Sequence, residues 1–346
     1  MRCARARATT SSTSDTPTSS KASNVRRVLV TGATGFVGAN VARGMLAQGH
    51  EVHCLVRASH RPWRLNGLDG AQIHVADMLD RGAVDALLSR TRPSWILHLA
   101  AYGAYASQAD VALCVRTNLE SSVNLMESAA AHGVERFVNT GSSSEYGFKD
   151  HAPDEDEPAE PNSLYAVTKA AAAAYARHIA QAGRLHTTTL RLYSVYGPYE
   201  EPTRLIPTLA LAGLQGTYPP LVSPSVARDF VYVDDVVAAY AAILSADLPP
   251  GRVYNVGTGV QTSLGAAVEV SRSLFDIEQA PDWGTMAERK WDTNTWVANI
   301  SRIRREVGWN PETSFEDGFR RTAEWIAASD ERRRYYETSR AGRNGS

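Results

Sequence analysis

The run Val28-Leu29-Val30-Thr31-Gly32-Ala33-Thr34-Gly35-Phe36-Val37-Gly38 decides how the chain folds. Its first four residues are apolar or β-branched and read as a buried strand. Three glycines follow at once, and Asn40–Gln48 reads as a helix. Gly32 permits a tight turn, and Gly35 lets backbone N–H groups approach a pyrophosphate. Gly38 permits close helix–strand contact, and the helix N-terminus favours negative charge. A glycine triplet alone is a weak signal, but strand, turn and helix in this order are what a dinucleotide-binding crossover requires. Thr34, Phe36 and Val37 fall in the same loop and complete the expected phosphate cradle.

Outward from this loop, short β-branched runs alternate with Ala-rich helical stretches. Further strands are expected at Glu51–Arg57, Ala71–Val75, Ser94–Ala100, Arg136–Thr140 and Thr187–Leu192, with helices across Ala109–Ala131 and Ser163–Ala182. The alternation predicts an α/β, Rossmann-type, doubly wound parallel sheet whose ligand crevice lies at the carboxyl ends of the strands. After Tyr193 the prolines 198, 202, 207, 219, 220 and 224 interrupt the pattern, and the chain is expected to build a smaller C-terminal substrate-binding lobe. Residues 26–192 thus form the dinucleotide-binding domain, with returns near 229–257 (Phe230–Leu244 and Val253–Val256). Residues 193–228 and 258–335 form the lobe, and 336–346 a frayed tail. Residues 1–25 are rich in Ser, Thr and Arg, with Asp15 the only acid. They read as a disordered leader, with a transit peptide or an early start codon as alternatives.

Composition excludes several classes of partner. Of 346 residues, 43% are hydrophobic and 21% charged, as in ordinary globular proteins. The 36 basic and 37 acidic residues leave a net charge of -1, so no bulk attraction draws the chain to nucleic acid or an anionic membrane. Cys3, Cys54 and Cys114 are too dispersed for a disulfide framework or a metal knuckle, which makes a reducing, cytoplasmic setting the default. No apolar run approaches the length of a membrane span. The acidic run Asp154-Glu155-Asp156-Glu157 reads as a solvated loop, and no metal site is expected.

The second strand runs into Leu55-Val56-Arg57-Ala58-Ser59, without the acid that holds an NAD ribose. Arg57 and Ser59, helped by Arg61, suit a ribose 2′-phosphate and favour NADP, with NAD the alternative. A blander role for Arg57 is to stack on adenine or to face solvent. Asp77, next to Met78 after the third strand, is placed to bond an adenine amino group or to cap a helix. His98-Leu99-Ala100-Ala101 ends the fourth strand with small residues that leave room for a cofactor, and His98 itself reads as a core residue.

Tyr165 and Lys169 sit at i, i+4 on a predicted helix, hence on one face. A free phenol titrates at roughly 10 and is a poor base at neutral pH. An adjacent ammonium and an oxidised nicotinamide both favour phenolate, so a lowered value is expected. Tyr165 then exchanges a proton with a substrate hydroxyl while hydride moves to or from the cofactor. Ser142, where the fifth strand enters Gly141-Ser142-Ser143-Ser144-Glu145-Tyr146-Gly147, is positioned to bond the reacting oxygen; alternatively the serine-rich turn caps itself.

Together these motifs resemble the extended short-chain dehydrogenase/reductase family, in its nucleotide-sugar epimerase/dehydratase/ketoreductase branch. The resemblance spans roughly residues 26–330 and includes Asn118, Tyr196-Gly197-Pro198, Arg228-Asp229-Phe230, Tyr254-Asn255-Val256-Gly257 and Gly308-Trp309-Asn310-Pro311. It implies that Leu99, Ala100, Ala101, Asn118, Tyr193 and Val195 line the cofactor. It also implies that Tyr102, Ser143, Ser144, Ser194 and Arg204 face the substrate, that Arg228 and Arg289 hold its diphosphate, and that Asp292 takes a ribose hydroxyl. Members commonly dimerise through the helices near Asn118 and Tyr165, and Ala170–Ala174 suits either such packing or intrachain core.

The departures from the family pattern narrow the expected chemistry. The 4,6-dehydratases carry Thr-Asp-Glu where this chain has Ser142, Ser143 and Ser144, and Glu145 is one residue out of register, so water elimination is not expected. The Gly-Ser-Ser-Ser-Glu-Tyr-Gly form is similar to 4-ketoreductases of deoxyhexose nucleotides. Ser194 replaces the usual Asn. The expected activity is reduction of a 4-keto (deoxy)hexose nucleotide with Tyr165 as proton donor. The alternative is a 4-epimerase with tightly bound NAD, and a non-catalytic dinucleotide sensor stands third because the Tyr–Lys pair is intact.

Overall fold

Seven strands pair side by side, every pair parallel, and their order explains where the crevice opens. The computed structural model describes residues 25–105, 108–285 and 293–341. In chain order the first part contains β1 (Arg27–Thr31), α1 (Phe36–Ala47), β2 (Glu51–Val56), β3 (Gln72–Val75), α2 (Arg81–Thr91), β4 (Trp95–His98), α3 (Val111–Val115), α4 (Ser121–Ala131), β5 (Arg136–Ser142), α5 (Leu164–Gln181) and β6 (Thr187–Leu192). The second contains β7 (Ser194–Tyr196), α6 (Leu205–Gln215), β8 (Ala227–Arg228), β9 (Phe230–Tyr232), α7 (Val233–Ser245), β10 (Arg252–Val256), β11 (Thr262–Ser263), α8 (Leu264–Phe275), α9 (Ser301–Val307), α10 (Phe315–Ala327) and α11 (Asp330–Ala341). The sheet order is β3-β2-β1-β4-β5-β6-β10. The chain winds outward from β1 in one direction and then restarts at β4, so the carboxyl ends of β1 and β4, with Thr31 opposite His98, flank the reversal point.

Each face of the sheet buries its own apolar layer. On one side Val28, Val30, Val41 and Met45 pack with Val236, Tyr240 and Ile243 of α7 and with Ile303. On the other, Leu29, Ile96 and Phe137 meet Leu87, Leu125, Met126 and Ile179 from α2, α4 and α5. A third cluster, with Leu209, Val268, Phe319 and Ile326, is the core of a lobe built from α6, α8 and α10. Strands buried on both faces carry little charge; β6 has three threonines, and its one charged residue, Arg191, is paired with Glu145. Thr187, for example, satisfies its hydroxyl on the Ala176 carbonyl at 2.7 Å.

Several elements differ from the sequence reading. The first helix starts four residues early, at Phe36, directly after Gly35. The stretch read as one helix over Ala109–Ala131 contains a π turn at Arg116–Glu120, which adds a residue to the turn holding Asn118. Phe230–Leu244 divides into β9 and α7. The lobe assigned to 258–335 gives up Ala298, Ile300, Ile303 and Trp309, which join the core beneath the sheet.

Most different is the end of the chain. The tail read as frayed from 336 begins inside α11, where Tyr336 is buried and donates its hydroxyl to the Glu200 carbonyl at 2.6 Å. Tyr335 lies 4.6 Å from Trp63 between ring centres, and Tyr199 lies 4.6 Å from Trp325, forming an aromatic seam with the stretch that follows β2. The acidic run is likewise not wholly solvated. Glu155 is buried, accepts the Asn255 N–H at 2.9 Å and pairs with Arg302 at 3.3 Å.

Candidate active site

The glycine loop joins β1 to α1 with Gly32 at φ 72°, a left-handed conformation that L side chains rarely adopt. A Cβ there would also lie 2.6 Å from the backbone of Leu99 and Ala100, and one at Gly38 would lie 2.2 Å from the Gly32 carbonyl. Loop, helix and β4 therefore close upon one another only with glycine at both positions. No side chain caps α1 and its first turn carries no acid, which leaves its N–H groups facing the crevice for an anion. Thr34, Phe36 and Val37 are half-buried there, as are Leu99 and Ala100 at the end of β4, while Ala101 is exposed. Nothing in this cradle conflicts with a dinucleotide diphosphate, and its glycines have the space requirements of one.

Beyond β2, Arg57 and Ser59 are exposed on the rim. Asp77 is exposed too, and its carboxylate accepts the Leu79 N–H at 3.0 Å. The helix cap considered for Asp77 falls instead to Asp80, which accepts from Ala83 N–H at 3.0 Å. Met78 is buried against α2 and α4. His98 is the core residue its position suggested: its two ring nitrogens meet Thr31 and Ser122 hydroxyls, each at 2.8 Å. Burial, with the Lys169 charge adding to it, holds its pKa down at about 3.

Ser163 caps α5 by accepting the Ala166 N–H, so Tyr165 enters in the first turn and Lys169 follows one turn later on the same face. Lys169 is only 3% exposed, and loss of water pushes its pKa down to about 8, against an opposing pull from the Glu145 charge. Tyr165 is half-buried and lies beside Ser142, whose hydroxyl favours phenolate. The sequence reading expects an acidified phenol; in the protein by itself desolvation outweighs Ser142 and holds the pKa up at about 12. Tyr165 is thus protonated at neutral pH, the state a proton donor requires.

The structure brings Ser142, Tyr165 and Lys169 together at the carboxyl end of β5. Asn118 is buried beside them, but its amide is taken up within the protein: it accepts from Tyr102 N–H at 2.8 Å and donates to the Tyr102 carbonyl at 2.7 Å and Thr168 at 2.9 Å. It holds the loop carrying Tyr102 against α5. Tyr193 is buried and Val195 half-buried across the crevice. Arg204, exposed at the start of α6, stands 5.9 Å from the Tyr105 ring, and its charge reaches Tyr165. Ser144 donates its N–H to Ser142 Oγ at 3.2 Å, and Ser194 donates its N–H to the Asp229 carbonyl at 3.0 Å. Arg289 and Asp292 lie outside the described residues.

Four residues shape the site in ways that the sequence reading did not assign. Trp296 donates its indole N–H to Ser143 Oγ at 3.2 Å and lies under the Arg228 guanidinium at 5.6 Å, linking two expected substrate contacts. Asp229, 0% exposed, accepts from Thr258 N–H and Oγ1 at 2.7 Å each, Gly259 N–H at 2.9 Å and Ala298 N–H at 3.0 Å. Glu145 and Arg191 form a buried ion pair at 2.8 Å behind Ser142. Of these only Glu145 left a local signal, since Ser142-x-x-Glu145 has capping-box spacing, and the structure forms that box.

With this geometry in place, comparison with known proteins is specific. Residues 28–257 match the NAD dependent epimerase/dehydratase family. A dTDP-glucose 4,6-dehydratase of Streptomyces griseus is 31% identical over 315 residues, covering 86% of this chain and 93% of the relative. A UDP-glucose 4-epimerase of Mycolicibacterium smegmatis is 31% identical over 312 residues, covering 87% and 98%. The crystal structure of a Thermus thermophilus UDP-glucose 4-epimerase in complex with NAD superposes with a TM-score of 0.78 at 29% identity, covering 88% of this chain and 99% of that one. The glycine cradle, the Ser142–Tyr165–Lys169 cluster and these likenesses agree: the chain belongs to the NAD-dependent epimerase/dehydratase family, among the extended short-chain dehydrogenase/reductases.

Proposed function

We propose that the chain reduces the 4-keto group of a nucleotide-linked (deoxy)hexose, with NADP as cofactor and Tyr165 as proton donor. The observation that carries this reading is the arrangement around Tyr165. The phenol lies beside Ser142 with Lys169 one turn along α5, and by the family pattern Ser143 and Ser144 replace the acids of elimination. Glu145 turns inward to Arg191 and is closed to substrate, so this turn has no carboxylate to remove water from a sugar.

A nicotinamide dinucleotide in the glycine cradle supplies the hydride. Gly32, Gly35 and Gly38 with the α1 N-terminus hold its diphosphate, and Arg57 and Ser59 hold a ribose 2′-phosphate. Lys169 fixes the nicotinamide ribose and its charge favours the phenolate left after transfer. Ser142 orients the carbonyl oxygen, and Tyr165 delivers a proton to it. Arg204 and Arg228 draw in the diphosphate of the substrate, whose guanidinium-binding chemistry matches theirs. Val111, Val115, Leu164 and Val167 expose apolar side chains on α3 and α5, which supports a homodimer built on those helices. Cys54 and Cys114 are free thiols, in keeping with a reducing, cytoplasmic setting.

A second reading, a 4-epimerase with tightly bound NAD, is favoured by the Mycolicibacterium and Thermus relatives, the latter carrying NAD. One assay separates them: purified protein with a panel of nucleotide 4-keto-6-deoxyhexoses and NADPH, followed by the near-ultraviolet absorbance of the reduced cofactor. Consumption of NADPH supports the reductase. Interconversion of nucleotide hexoses without added cofactor replaces it with the epimerase.

A further inference from the structure

We propose that Glu145 is a positioning residue: clamped by Arg191, its carboxylate fixes the backbone of Ser142 so that the serine hydroxyl meets the Tyr165 phenol. The inference rests on Tyr165 as the group that moves the proton, and not on which sugar is turned over.

A carboxylate 0% exposed is costly unless every charge and lone pair finds a partner. Glu145 finds two of different kinds. One oxygen accepts the Arg191 Nε–H at 2.8 Å, and the other accepts the Ser142 N–H at 2.8 Å. Arg191 is itself fixed. It lies on β6 directly opposite Gly141 of β5, its guanidinium sits 4.4 Å from the Tyr146 ring centre, and Nη1 reaches the Glu155 carbonyl at 3.4 Å. The Tyr146 hydroxyl in turn donates to Asn255 at 2.9 Å, which anchors the turn to β10. Gly141 makes room for the clamp, since a Cβ there would lie 2.6 Å from the Glu145 oxygen.

The consequence falls on Ser142. Its N–H is held by Glu145, and one lone pair of its hydroxyl accepts the Ser144 N–H at 3.2 Å. The hydroxyl keeps its proton and one lone pair for a further partner, and the Tyr165 phenol lies beside it. The line of force runs from a central strand through an ion pair to one backbone amide and then to the phenol. A purely structural ion pair would stabilise the turn without requiring an acceptor on residue 145 that faces Ser142.

Two double variants isolate that acceptor. Arg191→Met with Glu145→Gln removes the charges but keeps an amide oxygen for the Ser142 N–H. Arg191→Met with Glu145→Ala removes the charges and the acceptor. Both remove the Glu145 charge that faces Lys169, so that effect is common to the two and cancels in their comparison. In protein labelled with 13C at tyrosine Cζ, the Tyr165 resonance is assigned by its loss in Tyr165→Phe. It is expected to stay near its wild-type position in the Gln variant and to move as far in the Ala variant as it does in Ser142→Ala. With any substrate that turns over, the Ala variant is expected to lose about 10- to 100-fold in kcat relative to the Gln variant, with KM little changed. Adding Ser142→Ala to it should cost nothing further. Indistinguishable Gln and Ala variants, in a protein where Ser142→Ala does shift the resonance, overturn the role of Glu145. If Ser142→Ala leaves the resonance unmoved, the Ser142–Tyr165 contact and this proposal fail together. The resonance needs no substrate, so it decides the matter even if NADPH is not consumed.

Discussion

Lys169 is charged at a loss, and the loss can be measured. Burial lowers its pKa from 10.5 to about 8. At 1.36 kcal/mol per unit this amounts to about 3 kcal/mol. The folded value lies below the unfolded one, so between about pH 8 and 10.5 the unfolded chain binds the proton that the folded chain has released. Unfolding free energy therefore rises with pH across that window; the contribution is complete above the unfolded pKa and is lost as pH falls through the folded one. The assay is urea unfolding of the dinucleotide-free wild type and Lys169→Met in steps from pH 7 to 10.5, taking the difference at each pH. Cys54 and Tyr165, both pushed up to about 12 by burial, also titrate in alkali, but both proteins carry them and they cancel in the difference. The advantage of the methionine variant is expected to shrink by about 3 kcal/mol over the range. A difference that stays flat refutes the claim that this ammonium is held against its own desolvation, and with it the view that Lys169 waits for an anionic or polar partner in the cleft.

Further outcomes follow from the same geometry. Tyr165→Phe is expected to lower kcat by at least about 100-fold while dinucleotide affinity, read by fluorescence titration, stays within about twofold; retained turnover would remove Tyr165 from the chemistry. Asp229→Asn keeps one acceptor oxygen but turns an NH2 toward donors, either the Gly259 and Ala298 amides or those of Thr258, and should cost about 3 kcal/mol by chemical denaturation. Arg57→Glu should reverse cofactor preference, raising KM for NADPH by about 10-fold or more with a smaller effect on NADH; equal effects on both would place Arg57 outside the ribose site.

The main layers were legible because they rest on local regularities. Strand β6 has the same limits in sequence and structure, and the glycine run predicted the loop, though not its close contact with Leu99 and Ala100. Features set by distant partners were not legible. The π turn at Arg116–Glu120 contains no Gly or Pro to mark it in the sequence, and it accompanies the bonds of Asn118 to Tyr102 and Thr168. Glu155 sits in an acidic run that looks solvated, and only Asn255 and Arg302 bring it inside. Charged neighbours from Asp330 to Arg334 hide Tyr335 and Tyr336, whose burial depends on Trp63, Glu200 and Trp325. Tyr165 and Lys169 share one face of α5, as their spacing predicted. The rise of the phenol pKa was not legible, since desolvation belongs to the whole fold.

The aromatic seam has a bearing on how the molecule comes into being on the ribosome. Synthesis is directional, and early portions of a polypeptide begin to organise before later ones emerge. Trp63 leaves the exit tunnel long before its neighbours Tyr199 and Tyr335, so the segment after β2 must wait until α11 has been made before that ring is covered. A nascent chain halted short of α11 would own every glycine of the phosphate loop and still present an unfinished, sticky flank to chaperones.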